Sequence, residues 1–255
     1  MSKENLSRWH LLDSLRGFTL IHMVLFHFLY DVFIIYGFHP EWDRLLTTRI
    51  WQQYICWSFI LISGIAFHFS RSIWKKSLIL IAWGFVFTGV TVLVLPSETI
   101  WFGILSFMGL AALVTGLLDP LLSKIPPVLG MLLSGLCFFL TRLVPSGYLG
   151  WGALRLARLP QGLYRWWFGA WIGFPPSGFR SSDYFALIPW LFLFWTGYYL
   201  YYYLRQEKTA ALMQRGKLPL LTAIGRKSLW IYVVHQPVCM LFCIVLFDVF
   251  KLGIN

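Results

Sequence analysis

The 255-residue chain is 58% hydrophobic and only 12% charged, against roughly 45–50% and 25% for an ordinary soluble domain. Its 21 Lys and Arg against 10 Asp and Glu leave a net charge of +11. Apolar stretches of about 20 residues, long enough to cross ~30 Å of hydrocarbon, recur from end to end, which excludes a soluble domain, a disordered tail and a disulfide scaffold. Seven spans are predicted, near Leu11–Tyr36, Ile50–Ser70, Lys76–Leu95, Trp101–Leu118, Val128–Val144, Phe185–Leu204 and Ile224–Phe250. Pro96, Pro120, Pro126, Pro127, Pro145 and Pro219 are expected to punctuate them. A helix satisfies its own backbone where no water is present. The expected class is therefore all-α, a polytopic integral membrane protein forming one domain over residues 1–255. The first span is too long, and too interrupted by Asp13 and Arg16, to read as a cleavable signal.

The Lys and Arg distribution sets the expected orientation. A cytoplasmic N-terminus puts twelve bases inside: Lys3, Arg8, Arg71, Lys75, Lys76, Lys124, Arg205, Lys208, Arg215, Lys217, Arg226 and Lys227. Arg44, Arg49, Arg155, Arg158, Arg165, Arg180 and Lys251 then fall outside, with Arg16 and Arg142 in spans. The C-terminus is expected outside. The one long connection, Pro145 to Tyr184, mixes Trp151, Trp166, Trp167, Trp171 and Phe174 with Gly and Arg. It suits an interfacial or re-entrant helical piece, or an acceptor-binding lid. Cys56, Cys137, Cys239 and Cys243 all lie in apolar spans without CxxC or Cys/His ligand spacing, so they read as small buried hydrophobes and no metal site is expected.

An ionisable group in hydrocarbon costs several kcal/mol, so each needs a partner or a task. Asp13 and Arg16 share one helix face and are expected to pair, and Arg16 can also offer its guanidinium to a phosphate. His27 and Asp31 stand one turn apart. The carboxylate could orient the imidazole and leave its other nitrogen as a base, or the two could simply hold helices together. Arg16 to His27 spans about 16 Å, so a phosphorylated compound bound at the mouth could reach chemistry near the midplane. His22 points elsewhere, towards packing or a hydrogen bond, and His68 is expected at the interface near Arg71. In the last span, Arg226 and Lys227 are expected at a helix N-terminus, a favourable place for phosphate. His235 follows about 15 Å further along, and Pro237 frees the carbonyl of Val233. Asp183 and Tyr184, followed by Pro189 and Trp190, could bind a polar acceptor or serve as a helix cap and belt aromatics.

Several blocks together resemble a known family. Leu12-Asp13-Ser14-Leu15-Arg16-Gly17, then Met23 and His27-x-x-x-Asp31, resembles the opening of the heparan-alpha-glucosaminide N-acetyltransferase catalytic-domain family, bacterial branch. Ile62-Ser63-Gly64, Phe102-Gly103-Ile104-Leu105, Asp183-Tyr184-Phe185 with Pro189-Trp190, and Gly225 to Pro237 resemble its later blocks in the same order. Arg16 with His27 after ten residues is also similar to the Arg-x10-His pattern of the wider transmembrane acyltransferases. The resemblance implies an acyl-CoA-dependent acetyltransferase of a bacterial inner membrane. It would move acetyl from cytoplasmic acetyl-CoA to an amine or hydroxyl of an extracytoplasmic sugar or glycolipid.

In that scheme Arg16, Arg226 and Lys227, with Arg71, Lys75 and Lys76, hold the nucleotide of acetyl-CoA. His27, Asp31 and His235 do the chemistry. Asp183, Tyr184, Trp190 and His39 face the acceptor, and Asp13 and Pro237 are structural. His39-x-x-Trp42 only approximates the outer-loop His block of the human-type members, which also carry more spans and a luminal domain than this sequence displays. A bacterial envelope sugar is therefore the expected acceptor rather than heparan. The implied partners are membrane lipids, acetyl-CoA and the acceptor, with no nucleic acid; a homo-oligomer is compatible with the sequence. The alternative from another class is a small proton-coupled transporter or flippase using the same His and Asp residues as a relay. It fits less well because no inverted repeat is visible.

Overall fold

The computed structural model describes residues 8–216 and 218–250. Lys3, Lys217 and Lys251, which enter the orientation tally, lie outside them. Among the described residues the main elements are ten helices and a hairpin: α1 His10–Tyr30, α2 Leu46–Ala66, α3 Ile73–Val94, α4 Ile104–Leu122, α5 Pro127–Leu140, β1 Tyr148–Trp151, β2 Leu154–Arg158, α6 Gly169–Ile172, α7 Leu187–Leu204, α8 Glu207–Arg215, α9 Pro219–Arg226 and α10 Ser228–Cys243. Among the described residues six helical stretches are long and apolar enough to cross a membrane: His10–Ile35, Leu46–Phe69, Ile73–Val94, Ile104–Leu122, Pro127–Ser146 and Ser228–Val249. The 18-residue α7 is not among them. Tyr198, Tyr199, Tyr201, Tyr202 and Tyr203 crowd its second half and dilute its hydropathy.

Three predicted boundaries shift. α4 runs through Pro120 to Leu122, because a proline in the last turn interrupts little helix beyond it. The last span breaks at Lys227, so Ile224–Phe250 is the end of α9, a turn, and α10. The long connection is not one interfacial helix: it holds the β1–β2 hairpin, a 3-10 turn at Gln161–Tyr164 and the four-residue α6. The hairpin pairs Trp151 with Leu154 across a two-residue turn that begins on Gly152 at φ +59°, the left-handed geometry such turns demand.

The chain forms two compact units, Met1–Ile62 with Gln206–Asn255, and Ser63–Arg205. In the first, α1 lies against α9 at backbone contact. A Cβ on Gly17 would run into the carbonyl oxygen of Leu221, and one on Gly225 into that of Asp13. Small residues let helices approach this closely where lipid supplies no hydrophobic drive between them. The Ser14 and Thr222 hydroxyls bond across the seam at 2.7 Å, and the Leu218 N–H donates to Ser14 at 3.2 Å. Leu20, Met23, Phe26, Trp42 and Ile55 form the apolar core beside this seam. Both α1 and α10 end in π-helical turns, Asp31–Ile35 and Ile244–Val249. There the Tyr36 hydroxyl donates to Asp248 at 2.9 Å, and the Tyr36 and Phe247 rings meet at 4.9 Å.

In the second unit α3 packs on α4 through small residues: a Cβ on Gly84 would lie 2.7 Å from that of Ser106, and one on Gly109 2.6 Å from the Ser77 carbonyl oxygen. α5 and α7 meet at Gly130 under the Tyr199 ring, with Thr196 donating to Ser134 at 3.2 Å. Two loops are zipped together at one end. Ser182 N–H donates to Thr99 (3.1 Å), Phe185 N–H to Phe102 (3.0 Å), and Trp101 N–H to the Ser181 hydroxyl (2.9 Å).

Candidate active site

In the first unit α1 and its neighbours assemble two polar centres. The first sits near the start of α1. Asp13, buried at 5% exposure, accepts Arg16 Nη1 at 2.9 Å and Arg8 Nε at 2.6 Å, with Arg226 Nε at 3.8 Å. Three guanidinium groups thus share one carboxylate, and the surplus positive charge and unused N–H donors remain for an anion. The expected Asp13–Arg16 pair is present. Arg226 differs from expectation: it ends α9 rather than opening a helix, and turns back to Asp13 and to His10 Nδ1 at 3.1 Å. Lys227 is the exposed residue that precedes α10. Arg8 was not foreseen as a member of the group. Its signal was a base five residues before Asp13, at the start of the helix.

The second centre lies farther along α1, against α10. The His27 and His235 rings meet edge to face at 4.8 Å between centroids. His235 Nδ1 stands 2.6 Å from the Tyr232 carbonyl oxygen. A carbonyl only accepts, so Nδ1 carries the proton and Nε2 of the neutral ring holds the lone pair. That Nε2 is buried and has no partner. The Asp31 side chain, fully buried, accepts from Gln236 Nε2 at 2.8 Å through Oδ1, while Asp31 Oδ2 and Gln236 Oε1 are also unpartnered. The expected Asp31–His27 bond is therefore replaced: the amide of α10 takes the carboxylate that helix spacing alone offered to His27. Gln236 is the residue that sequence reasoning missed, although an amide beside His235 inside an apolar span was itself a signal.

Buried polar atoms left unpaired in a native protein call for an explanation. Three acceptor atoms, Asp31 Oδ2, His235 Nε2 and Gln236 Oε1, are left unpaired on neighbouring residues: Gln236 bonds Asp31, and His235, next to it on α10, meets the His27 ring. The arrangement can accept a proton from a group bound there and return it. Two other histidines are committed elsewhere. His22 Nδ1 accepts from Trp51 at 3.0 Å, as packing required. His68 bonds the Tyr198 carbonyl at 3.0 Å and stacks on Tyr201 at 4.0 Å. Cys239 and Cys243 are buried, and Pro237 sits inside α10.

The remaining candidates divide between the units. His39 is exposed in the first. Arg71, Lys75 and Lys76 are exposed around the start of α3 in the second. There, too, the Asp183 carboxylate accepts the N–H of Ile104 at 3.2 Å and so caps α4; a Cβ on Gly103 would lie 2.9 Å from its Oδ2. The Tyr184 hydroxyl donates to the Ala170 carbonyl, and burial raises its pKa. Trp190 is buried and carries the Arg142 guanidinium 4.6 Å above its ring. The Phe102-Gly103-Ile104 and Asp183-Tyr184-Phe185 blocks, joined by the Ile104–Asp183 bond across 79 residues of sequence, are thus one structural joint.

A comparison with protein families matches residues 8–237 to the model described as heparan-alpha-glucosaminide N-acetyltransferase, catalytic. No curated protein matches the chain, and no solved structure does.

Proposed function

Because the chain belongs to the heparan-alpha-glucosaminide N-acetyltransferase catalytic family, we propose that it moves the acetyl group of cytoplasmic acetyl-CoA to an amine or hydroxyl of a sugar or glycolipid on the far side of a bacterial inner membrane. The observation that carries this reading is the cluster of unpaired buried acceptors at Asp31, His235 and Gln236 beside His27. The Arg8, Arg16 and Arg226 group on Asp13 supports binding of the nucleotide phosphates, with Lys227 beside it and Arg71, Lys75 and Lys76 as further candidates. The pantetheine arm then spans the ~16 Å between Arg16 and His27.

In the proposed reaction His235 Nε2 takes the proton of the acceptor N–H or O–H as that atom attacks the thioester carbonyl. The new C–N or C–O bond forms, the C–S bond breaks, and the proton held on Nε2 passes to the departing sulfur, giving free CoA. The Tyr232 carbonyl keeps Nδ1 protonated and so keeps Nε2 as the base, the part often played by a carboxylate. His27 lies against the ring that becomes charged, and the Tyr232 carbonyl on Nδ1 stabilises that charge. His39, Asp183, Tyr184 and Trp190 are proposed on the acceptor side, the last three through the joint they build.

The test is acetyl transfer from radiolabelled acetyl-CoA in membranes. His235→Ala and His27→Ala are expected to lower turnover by about 10²–10⁴-fold while acetyl-CoA binding persists. Wild-type turnover in His235→Ala rejects the mechanism. A transport role predicts instead no acetyl-CoA binding and a flux that follows the pH gradient.

A further inference from the structure

We propose that Asp31 is a neutral carboxylic acid whose Oδ2 hydroxyl donates to Gln236 Oε1, and that the two are positioning residues that keep the His235 imidazole uncharged. Only the kinetic consequences of this pairing rest on the acetyl-transfer reading. Gln236 Nε2 already donates to Asp31 Oδ1 at 2.8 Å. That leaves Oδ2 and Oε1, the second oxygens of the same two groups, both buried and both without a partner. Two acceptors cannot bond one another. One proton on Oδ2 turns that edge into a donor, and an acid and a primary amide then match donor to acceptor on both sides. A single proton thus accounts for two of the three orphaned atoms and leaves His235 Nε2 for the substrate.

The surroundings favour the acid. Asp31 is fully buried where α1 enters its π turn. Among the described residues no Lys or Arg pairs with it: Arg8, Arg16 and Arg226 are gathered on Asp13, about 27 Å back along the helix. The titratable groups around it are His27 on α1, Tyr232, His235, Cys239 and Cys243 on α10, and Tyr36 after the π turn, whose hydroxyl belongs to Asp248. Asp43 and Arg44, in the 3-10 turn Trp42–Arg44 that packs on the π turn, are exposed, and Arg44 is paired with Glu41. None of these sets a free cation against Asp31. An ionised carboxylate there would have one amide donor in place of its water shell, a cost that such a group escapes by taking a proton.

Neutrality at Asp31 protects the ring beside it. An anion close to the imidazoles would favour their protonated forms and fill Nε2, whereas a neutral acid does not. The two hydrogen bonds also tie the end of α1 to α10. His27, one turn before Asp31, and His235, next to Gln236, are thereby held with their rings 4.8 Å apart. The spacing His27-x-x-x-Asp31 then serves to set the imidazole against α10 rather than to charge it.

The test is infrared difference spectroscopy of the detergent-solubilised full chain at about pH 7, where solvated carboxyls, with pKa values near about 4, are ionised. The wild type is expected to show the C=O stretch of a protonated carboxyl, shifted in D2O and absent from Asp31→Asn. Gln236→Leu should keep that band and move it to higher frequency as its hydrogen bonds are lost. A wild type without the band, or an Asp31→Asn protein that retains all of it, overturns the proposal. If Asp31→Asn does not fold, a band that Gln236→Leu leaves unmoved overturns it instead. Turnover gives a second readout. The amide of Asn mimics the acid, so Asp31→Asn is expected to lower turnover by less than about 10-fold, against about 10²-fold or more for loss of a base. The acid limb of its rate–pH profile should stay within about 0.3 units of the wild type; removal of a carboxylate charge would instead move that limb down by about a unit or more, which rejects the neutral acid. The band in a chain that transfers no acetyl group rejects the transferase reading and keeps the pair, and transfer without the band rejects the pair alone.

Discussion

Asp31 shows why spacing along one helix is an incomplete guide to partners in a membrane. Its position four residues after His27 is legible in the sequence, and so is the need for a partner. That the partner is Gln236, 205 residues away, depends on which helix α1 meets, and no local pattern encodes that. His235 was visible as an intramembrane imidazole; its tautomer, set by the Tyr232 carbonyl, required the backbone. The Asp31–Gln236 bond makes a thermodynamic prediction. Gln236→Leu leaves a fully buried carboxyl without its donor and should cost about 1–3 kcal/mol, and Asp31→Leu similarly strands the amide. The double variant should be less destabilised than the sum, by at least about 1 kcal/mol, in thermal unfolding of the solubilised protein. Strict additivity would show that the bond contributes nothing.

At the level of elements, apolar runs located six membrane-length helices to within a few residues, because hydropathy averaged over about 19 residues is a strong signal. Shorter devices escaped. The break at Lys227 lies within a motif whose composition never turns polar for long enough to interrupt the average. The hairpin hid in a Trp- and Arg-rich loop, although Leu154-Arg155-Leu156 alternates and Gly152 marks the turn. The α1–α9 seam was hidden too, since Gly17 and Gly225 become meaningful only when opposed. A methyl on Gly225 meets the Asp13 carbonyl, so Gly225→Ala should lower stability by about 1–3 kcal/mol. Gly89 in α3 has open space around its Cβ direction. Gly89→Ala should therefore raise stability by about 0.5–1 kcal/mol, through the lost chain entropy of glycine. Thermal midpoints of the two variants moving in the same direction would refute the packing account.

Across the whole molecule, the charge imbalance has two separate origins. One share is the arginine group gathered on Asp13; another is the set of four arginines in the long connection, Arg155, Arg158, Arg165 and Arg180, against its single acid, Asp183. The expected orientation places the second set outside, against the usual bias, and it can be checked directly. Ala153 lies in the hairpin turn between Gly152 and Leu154. In intact cells, Ala153→Cys should react with a membrane-impermeant maleimide, while the four native cysteines, all in apolar spans, stay unlabelled. Labelling only after the cells are opened would reverse the topology, and with it the direction of acetyl transfer. The same reversal would leave the site geometry untouched, because the two polar centres lie within one unit.

That unit is fastened unevenly along its length. Near the start of α1 the backbones touch, glycine on glycine, while near its end both long helices relax into π turns that hold slack and are joined by the Tyr36–Asp248 bond. The tight contact belongs to α1 and α9 and the looser one to α1 and α10, with the break at Lys227 between them. The imidazoles lie between these two fastenings, so Tyr36→Phe, which removes only the bond to Asp248, should lower the thermal midpoint less than Gly225→Ala does.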